Sequence, residues 1–206
     1  MRPSYVRNVF IPDVTAGAQP APIVSAGSRA VRVTLSRAIG PFAVIPISLA
    51  DSAESLTPAP TGASFSWDQF NSTADLVFVL APEQTLYGAA YGATVSVSAA
   101  VSDFFPTDTP LGQIKIAKTI FRTITLQAVQ ASPLVNAGQY AQRVVIFVNG
   151  GLTVPLGTTV DNVIPGASIN VAVLHVGAGQ QLFAGGDPAV AGVLVAVASS
   201  EAVLPL

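Results

Sequence analysis

His175 is the only histidine in the 206-residue chain, and cysteine is absent. Any Ser-His-Asp or Cys-His relay would have to run through that one imidazole. Strand alternation puts His175 on a face with Ile169, Val171 and Val173, the setting of a structural histidine, and no Gly-x-Ser-x-Gly elbow occurs. Zinc asks for about four Cys, His or carboxylate ligands, and one His with no Cys cannot supply a usual set. Paired carboxylates for glycoside hydrolysis could come from Asp68 with Asp75 or Asp51 with Glu54, pairings that eleven acids in a β-rich chain offer by chance. Gly177-Ala178-Gly179-Gln180-Gln181-Leu182 begins like a dinucleotide fingerprint but lacks the third glycine and a following helix, so it reads as a turn. Asn71-Ser72-Thr73 fits the glycosylation acceptor pattern. Tyr87-Gly88 and Tyr91-Gly92 form an aromatic-glycine loop that either binds a partner or carbohydrate or is packed by its own tyrosines. No catalytic residue, cofactor or metal is expected.

Composition narrows the partners. Half the residues are hydrophobic and 10% are charged, against about 25% in an average domain. Much of the surface must therefore be small and polar, or covered by other subunits. Nine basic against eleven acidic residues give a net charge of -2. Phosphate binding needs a concentrated basic patch, and the loose set Arg29, Arg32 and Arg37 is not one, so no nucleic-acid partner is expected. No apolar run approaches the ~18 residues of a membrane span. Met1 to Asp13 holds basic residues without a continuous apolar segment, so no signal peptide is expected. The lack of cysteine excludes disulfides and fits synthesis in a reducing cytosol.

The elements that must carry these residues read as strands throughout. Pro3, Pro12, Pro20 and Pro22 forbid a helix over residues 1–28. Tyr5, Val9, Phe10 and Ile11 are too apolar for a free tail: they belong either to an extended arm that packs on a neighbour or to an edge strand of the chain's own sandwich. Val31, Val33 and Leu35 alternate with Arg32, Thr34 and Ser36, the period of a strand with one wet face. Pro46 marks an edge strand or a bulge, and Asp51 to Gly62 reads as a connection between sheets. Phe65 to Phe70 carries the only tryptophan, Trp67, expected between sheets. Leu76 to Ala81 reads as a strand covered on both faces. Thr94 to Ala99 follows, and Ser102 to Pro110 is a linker with packed phenylalanines. Ile114 to Leu126 is a strand or strand pair with a bulge around Ala117 to Thr119, and 132–139 is a loop. Asn149-Gly150 between apolar runs is the pattern of a two-residue hairpin turn. Ser168 to Val176 is one strand, and Ala189 to Ala198 is a strand buried on both faces. No internal repeat links the halves.

Ser55-Leu56-Thr57-Pro58, then Phe65-Ser66-Trp67-Asp68-Gln69-Phe70-Asn71, then the Leu76 to Leu80 strand, resembles the Calx-β type of immunoglobulin-like sandwich over roughly residues 30 to 100. The resemblance implies a structural or adhesive module of the kind found in phage virion and bacterial surface proteins. Calcium is not carried over, because Asp51, Glu54, Asp68 and Asp75 are dispersed. The expected fold is all-β: an extended N-terminal arm (1–24), an Ig-like or jelly-roll-like antiparallel sandwich (25–101), a linker (102–111) and a second sandwich (112–206). A single jelly roll with a long arm is the rival. The expected function is a non-enzymatic virion subunit made in the host cytoplasm, as a capsid decoration or cement protein or a spike or fibre base. It would be a homo-oligomer, a trimer by expectation, against other virion proteins such as the major capsid protein, with no membrane partner. Tyr5, Val9, Phe10, Ile11, Tyr87 and Tyr91 are the expected partner-binding residues. The alternatives are a bacterial adhesin or pilus-type subunit, a carbohydrate-binding β module, and a carbohydrate hydrolase or lyase working through carboxylates alone.

Overall fold

The computed structural model describes residues 6–10, 19–37, 47–57, 62–67, 75–90, 97–103, 115–159, 163–169 and 171–203. They form sixteen strands and three short 3-10 turns, with no α-helix among them. The first half supplies β1 (Val6–Phe10), β2 (Ala21–Ser25), β3 (Val31–Arg37), β4 (Ile47–Ala50), β5 (Phe65–Trp67), β6 (Leu76–Leu80), β7 (Thr85–Ala90) and β8 (Val97–Asp103). The second supplies β9 (Lys115–Thr125), β10 (Ala131–Asn136), β11 (Gln142–Val148), β12 (Val154–Gly157), β13 (Val163–Ile169), β14 (Val171–Val176), β15 (Gln181–Gly185) and β16 (Leu194–Val203). The first eight build the sheets β1-β8-β3-β6 and β2-β7-β4-β5, and the last eight build β9-β16-β11-β14 and β10-β15-β12-β13. All pairings are antiparallel. Strand for strand the two orders are the same, and each is an eight-stranded, two-sheet jelly roll.

Coverage follows the alternation. Val31, Val33 and Leu35 of β3 are buried against Phe65, Trp67, Phe78 and Leu86, while Arg32 points out to water. In the sheet β9-β16-β11-β14, residues Val144–Val148 and Val195–Ser200 are buried without a break. One face of that sheet, through Val144, Ile146, Val195 and Val197, packs on Leu134, Leu156 and Leu182 of its own half. The opposite face, through Phe121, Val145, Phe147, Ala196 and Ala198, belongs to the hydrophobic cluster of the first half. The halves therefore share a core.

Several sequence readings meet the structure directly. β9 is one long strand, and its pairing with β16 jumps from Lys118↔Glu201 to Ile116↔Ala202, which leaves Ala117 as the bulge. Trp67 is buried between the sheets. Asn149-Gly150 does not close a hairpin: Gly150 takes φ 78° in a 3-10 turn that carries the chain from one sheet to the other. The reason is that β12 finds its partners in β13 and β15. Asp51 to Gly62 joins the neighbours β4 and β5 of one sheet, not two sheets. Residues 132–139 are mostly strand β10, hidden in the sequence by Pro133 and a register shift before Val135. Ser168 to Val176 spans the end of β13 and all of β14, which lie in different sheets. Of the expected linker, Ser102 and Asp103 end β8, and 104–111 lie outside the described residues, as does Pro46.

A repeat also emerges that sequence reading alone did not find. Pro22, Val24, Ala26, Gly27, Ala30, Arg32 and Val33 recur, in the same spacing, as Pro133, Val135, Ala137, Gly138, Ala141, Arg143 and Val144. The register shift of β2 against β7 falls between Pro22 and Val24, and that of β10 against β15 between Pro133 and Val135. Backbone bonds repeat as well: Ala26 N–H donates to Gln84 O and Ala137 N–H to Gln180 O, both at 2.9 Å. Glu83 N–H donates to Gly27 O, and Gly179 N–H to Gly138 O, both at 2.6 Å.

Candidate interaction surfaces

An edge strand leaves a row of backbone groups without partners, and a folded chain has to satisfy or cover them. β5 and β6 are the last strands of the two first-half sheets. The outer face of β9-β16-β11-β14 lies across both, and its side chains stand in for missing strands. Thr119 Oγ1 and Ser200 Oγ both donate to Val79 O of β6, and Arg143 Nη1 donates to Val77 O at 3.4 Å. Beside β5, Ser66 N–H donates to Thr123 Oγ1 at 3.1 Å, and that hydroxyl donates to Ser64 O at 2.6 Å. Between these polar rows sit four rings: Phe65 and Phe78 with centroids 5.2 Å apart, Phe78 and Phe121 at 5.7 Å, and Phe65 and Phe147 at 6.4 Å. The Gln84 amide completes the seam. Its Oε1 accepts from Ala81 N–H and Thr119 N–H, and its Nε2 donates to Thr119 O at 2.9 Å.

Arg143 is the one charge held in this seam. Burial away from water, and then the Arg32 guanidinium nearby, push its pKa below the ordinary arginine value. Arg32 itself is exposed on β3. The two arginines are the equivalent residues of the two halves, each opposite a serine on the neighbouring strand: Arg32↔Ser102 and Arg143↔Ser200.

Among the described residues, those singled out in the sequence do not converge on one place. Val9 and Phe10 lie on β1, whose backbone pairs with the chain's own β8 at Ala99 and Ser98, so these positions form an edge strand of their own sandwich rather than an arm reaching outward. Tyr5, Ile11 and Tyr91 lie outside the described residues. Tyr87 is in strand β7, not in a loop, half-buried against Ala50, Leu56 and Ala89. A side chain at Gly88 would collide with Ile23, so this glycine makes room for packing. His175 is exposed on β14, opposite Arg143. Asp75 accepts from Ser36 Oγ, while its suggested partner Asp68 is outside the described residues. Gly177 to Gly179 form the turn between β14 and β15, with Gly179 at φ 73°. Among the described residues no three acidic or histidine side chains gather as a metal site, and no helix is long and apolar enough to cross a membrane. The seam residues Thr119, Thr123 and Ser200 went unnoticed in the sequence. The available signal was a hydroxyl inside an otherwise apolar run, as in Ala198-Ser199-Ser200.

Compared with known proteins, the chain matches no protein-family model, no curated protein and no solved structure.

Proposed function

We propose that this chain is a non-enzymatic structural subunit of a virus particle, acting as a capsid decoration or cement protein or at the base of a spike or fibre. The observation that carries the proposal is the tandem arrangement of two eight-stranded jelly rolls in one chain. Jelly rolls of this order build viral shells, lectins and cupins. A cupin would draw its metal ligands from several histidines, and this sequence has one. A lectin needs polar side chains converging on a sugar-sized hollow, and Tyr87, the one candidate tyrosine among the described residues, is packed half-buried in its own strand. A shell-associated subunit needs broad, shape-stable faces, and sharing one core between the halves supplies them. The resemblance of residues 30 to 100 to Calx-β modules, found in phage virion and bacterial surface proteins alike, fits this reading and the adhesin one, and a surface poor in charge fits a covered subunit. In this reading the particle-facing partner is a shell protein such as the major capsid protein, and the chain acts as a homo-oligomer, with a trimer expected.

The test is co-sedimentation of the purified chain with assembled phage capsids, followed by electron microscopy. Saturable density at fixed lattice positions is the expected result. Failure to bind any shell, together with export of the full gene product to a cell surface, would replace this reading with the adhesin or pilus-type one. Turnover in a glycan and ester substrate screen, lost in Asp68→Asn or Asp75→Asn, would replace it with the hydrolase reading.

A further inference from the structure

We infer that the outer face of β1-β8-β3-β6 docks a second copy of this chain, on that copy's β14 edge, by repeating between chains the seam already made within one. The inference rests on the equivalence of the halves. Within the chain, the outer face of the second jelly roll seals the β6 edge of the first. Each position of that contact has a counterpart. Registers match Arg32 with Arg143, Ser102 with Ser200 and Ala100 with Ala198 on the docking face. They match Val173 with Val77 and His175 with Val79 on the edge. Arg143 and Ser200 reach the carbonyls of Val77 and Val79. Arg32 and Ser102 of one copy are therefore placed to reach the carbonyls of Val173 and His175 of another.

Two observations mark this edge as the receiving side. β14 is the last strand of its sheet, with no described strand beyond it. Val173 is 50% exposed, one of three large hydrophobic side chains exposed to that degree among the described residues. The docking face also differs from its intrachain counterpart in an informative way: Thr34, Ser36 and Ser98 stand where Val145, Phe147 and Ala196 stand. On β3 and β8 that face keeps Arg32 and Ser102 and drops the grease, while on β1 Val6 and Phe10 hold the register positions of Thr119 and Thr123, and Asn8 that of Phe121. With fewer donors and less apolar cover, the contact between chains is reversible where the one within the chain is permanent. The contact joins unlike surfaces, so successive copies form a closed ring or a filament. It needs no shell and holds or fails independently of the virion reading.

The absence of cysteine makes the test clean. Thr34→Cys and Val173→Cys chains, which leave Arg32 and Ser102 in place, are prepared separately, and a short bismaleimide is added to each chain alone and to their mixture. Cross-linked dimer in the mixture, and little in either chain alone, is the expected result. Dimer in either single variant at the level of the mixture means a two-fold contact and overturns the inference, as does no dimer in the mixture. In parallel, sedimentation velocity over a concentration series should show self-association of the unmodified chain that Arg32→Glu weakens at least tenfold, with unchanged circular dichroism and Trp67 fluorescence. A monomer at every concentration, or an Arg32→Glu chain that associates as before, also overturns it.

Discussion

The two jelly rolls share a topology and differ in what lies against their edges. The first has its β5 and β6 edges sealed by the second, through Thr119, Thr123, Arg143 and Ser200. The second presents the equivalent β14 edge with Val173 half in water. The docking face of the second jelly roll is accordingly apolar around its donors, and the first carries hydroxyls at the matching positions of β3 and β8. One repeated fold thus carries one permanent and one open version of the same contact. What distinguishes them is a handful of outward-facing positions, while the inward-facing ones do similar work in both.

The largest effect should come from Phe121, buried in the shared ring cluster. Phe121→Ala should cost about 3–5 kcal/mol, read as a lower urea midpoint, whereas Ser36→Ala, which loses only the exposed bond to Asp75, should cost about 1 kcal/mol. Similar losses at both positions would mean that the two faces are not used differently. Thr123→Val removes the acceptor of Ser66 N–H in the part-buried seam, and should cost about 1–3 kcal/mol. Trp67 fluorescence and far-UV circular dichroism should then still report one transition, and two separated transitions would show that the seam does not couple the halves. At the equivalent turns, Glu83 takes φ 62° where Gly179 takes φ 73°. Gly179→Ala should lose about 1 kcal/mol, since a Cβ there meets no atom and only the left-handed backbone resists it. Glu83→Gly should gain about 0.5 kcal/mol. The smallest effect belongs to Arg32→Gln in dilute, unassociated protein. Removing the charge that faces Arg143 should stabilise by less than about 0.5 kcal/mol at low salt, and the gain should vanish near 1 M salt, where charges are screened within about 3 Å.

Much of the fold was legible because it rests on local pattern. The wet and dry faces of β3, the bulge at Ala117 and the double burial of Val195 to Ala198 follow from alternation or its loss; the start of that expected strand does not, since Pro188–Val190 is a 3-10 turn and β16 begins only at the exposed Leu194. What escaped depends on partners distant in sequence. The Asn149-Gly150 turn has hairpin chemistry, but β11 and β12 pair with other strands, and nothing local encodes that choice. β10 escaped because Pro133 and its bulge break the period. The repeat escaped because its identities are concentrated around β2, β3, β10 and β11, while the outer faces diverged: Phe147 faces rings where Ser36 bonds Asp75. The seam itself was invisible for the same reason, since Thr119 and Ser200 look like ordinary strand hydroxyls until the carbonyl of Val79 is placed beside them.

Sealing β6 with side chains of β9, β11 and β16 has a consequence for the order of events at the ribosome. The first half emerges before the second, at about 5–20 residues per second, and its Phe65 and Phe78 lack the rings of Phe121 and Phe147 until β9 and β11 are made and are held in one sheet by β16. For several seconds the nascent chain exposes two sheet edges and an aromatic cleft, the kind of surface that holdase chaperones grip and that pairs wrongly in crowded polysomes. Stop codons or ribosome stalling between β9 and β16 should therefore yield insoluble product, while synthesis through β16 closes the cleft.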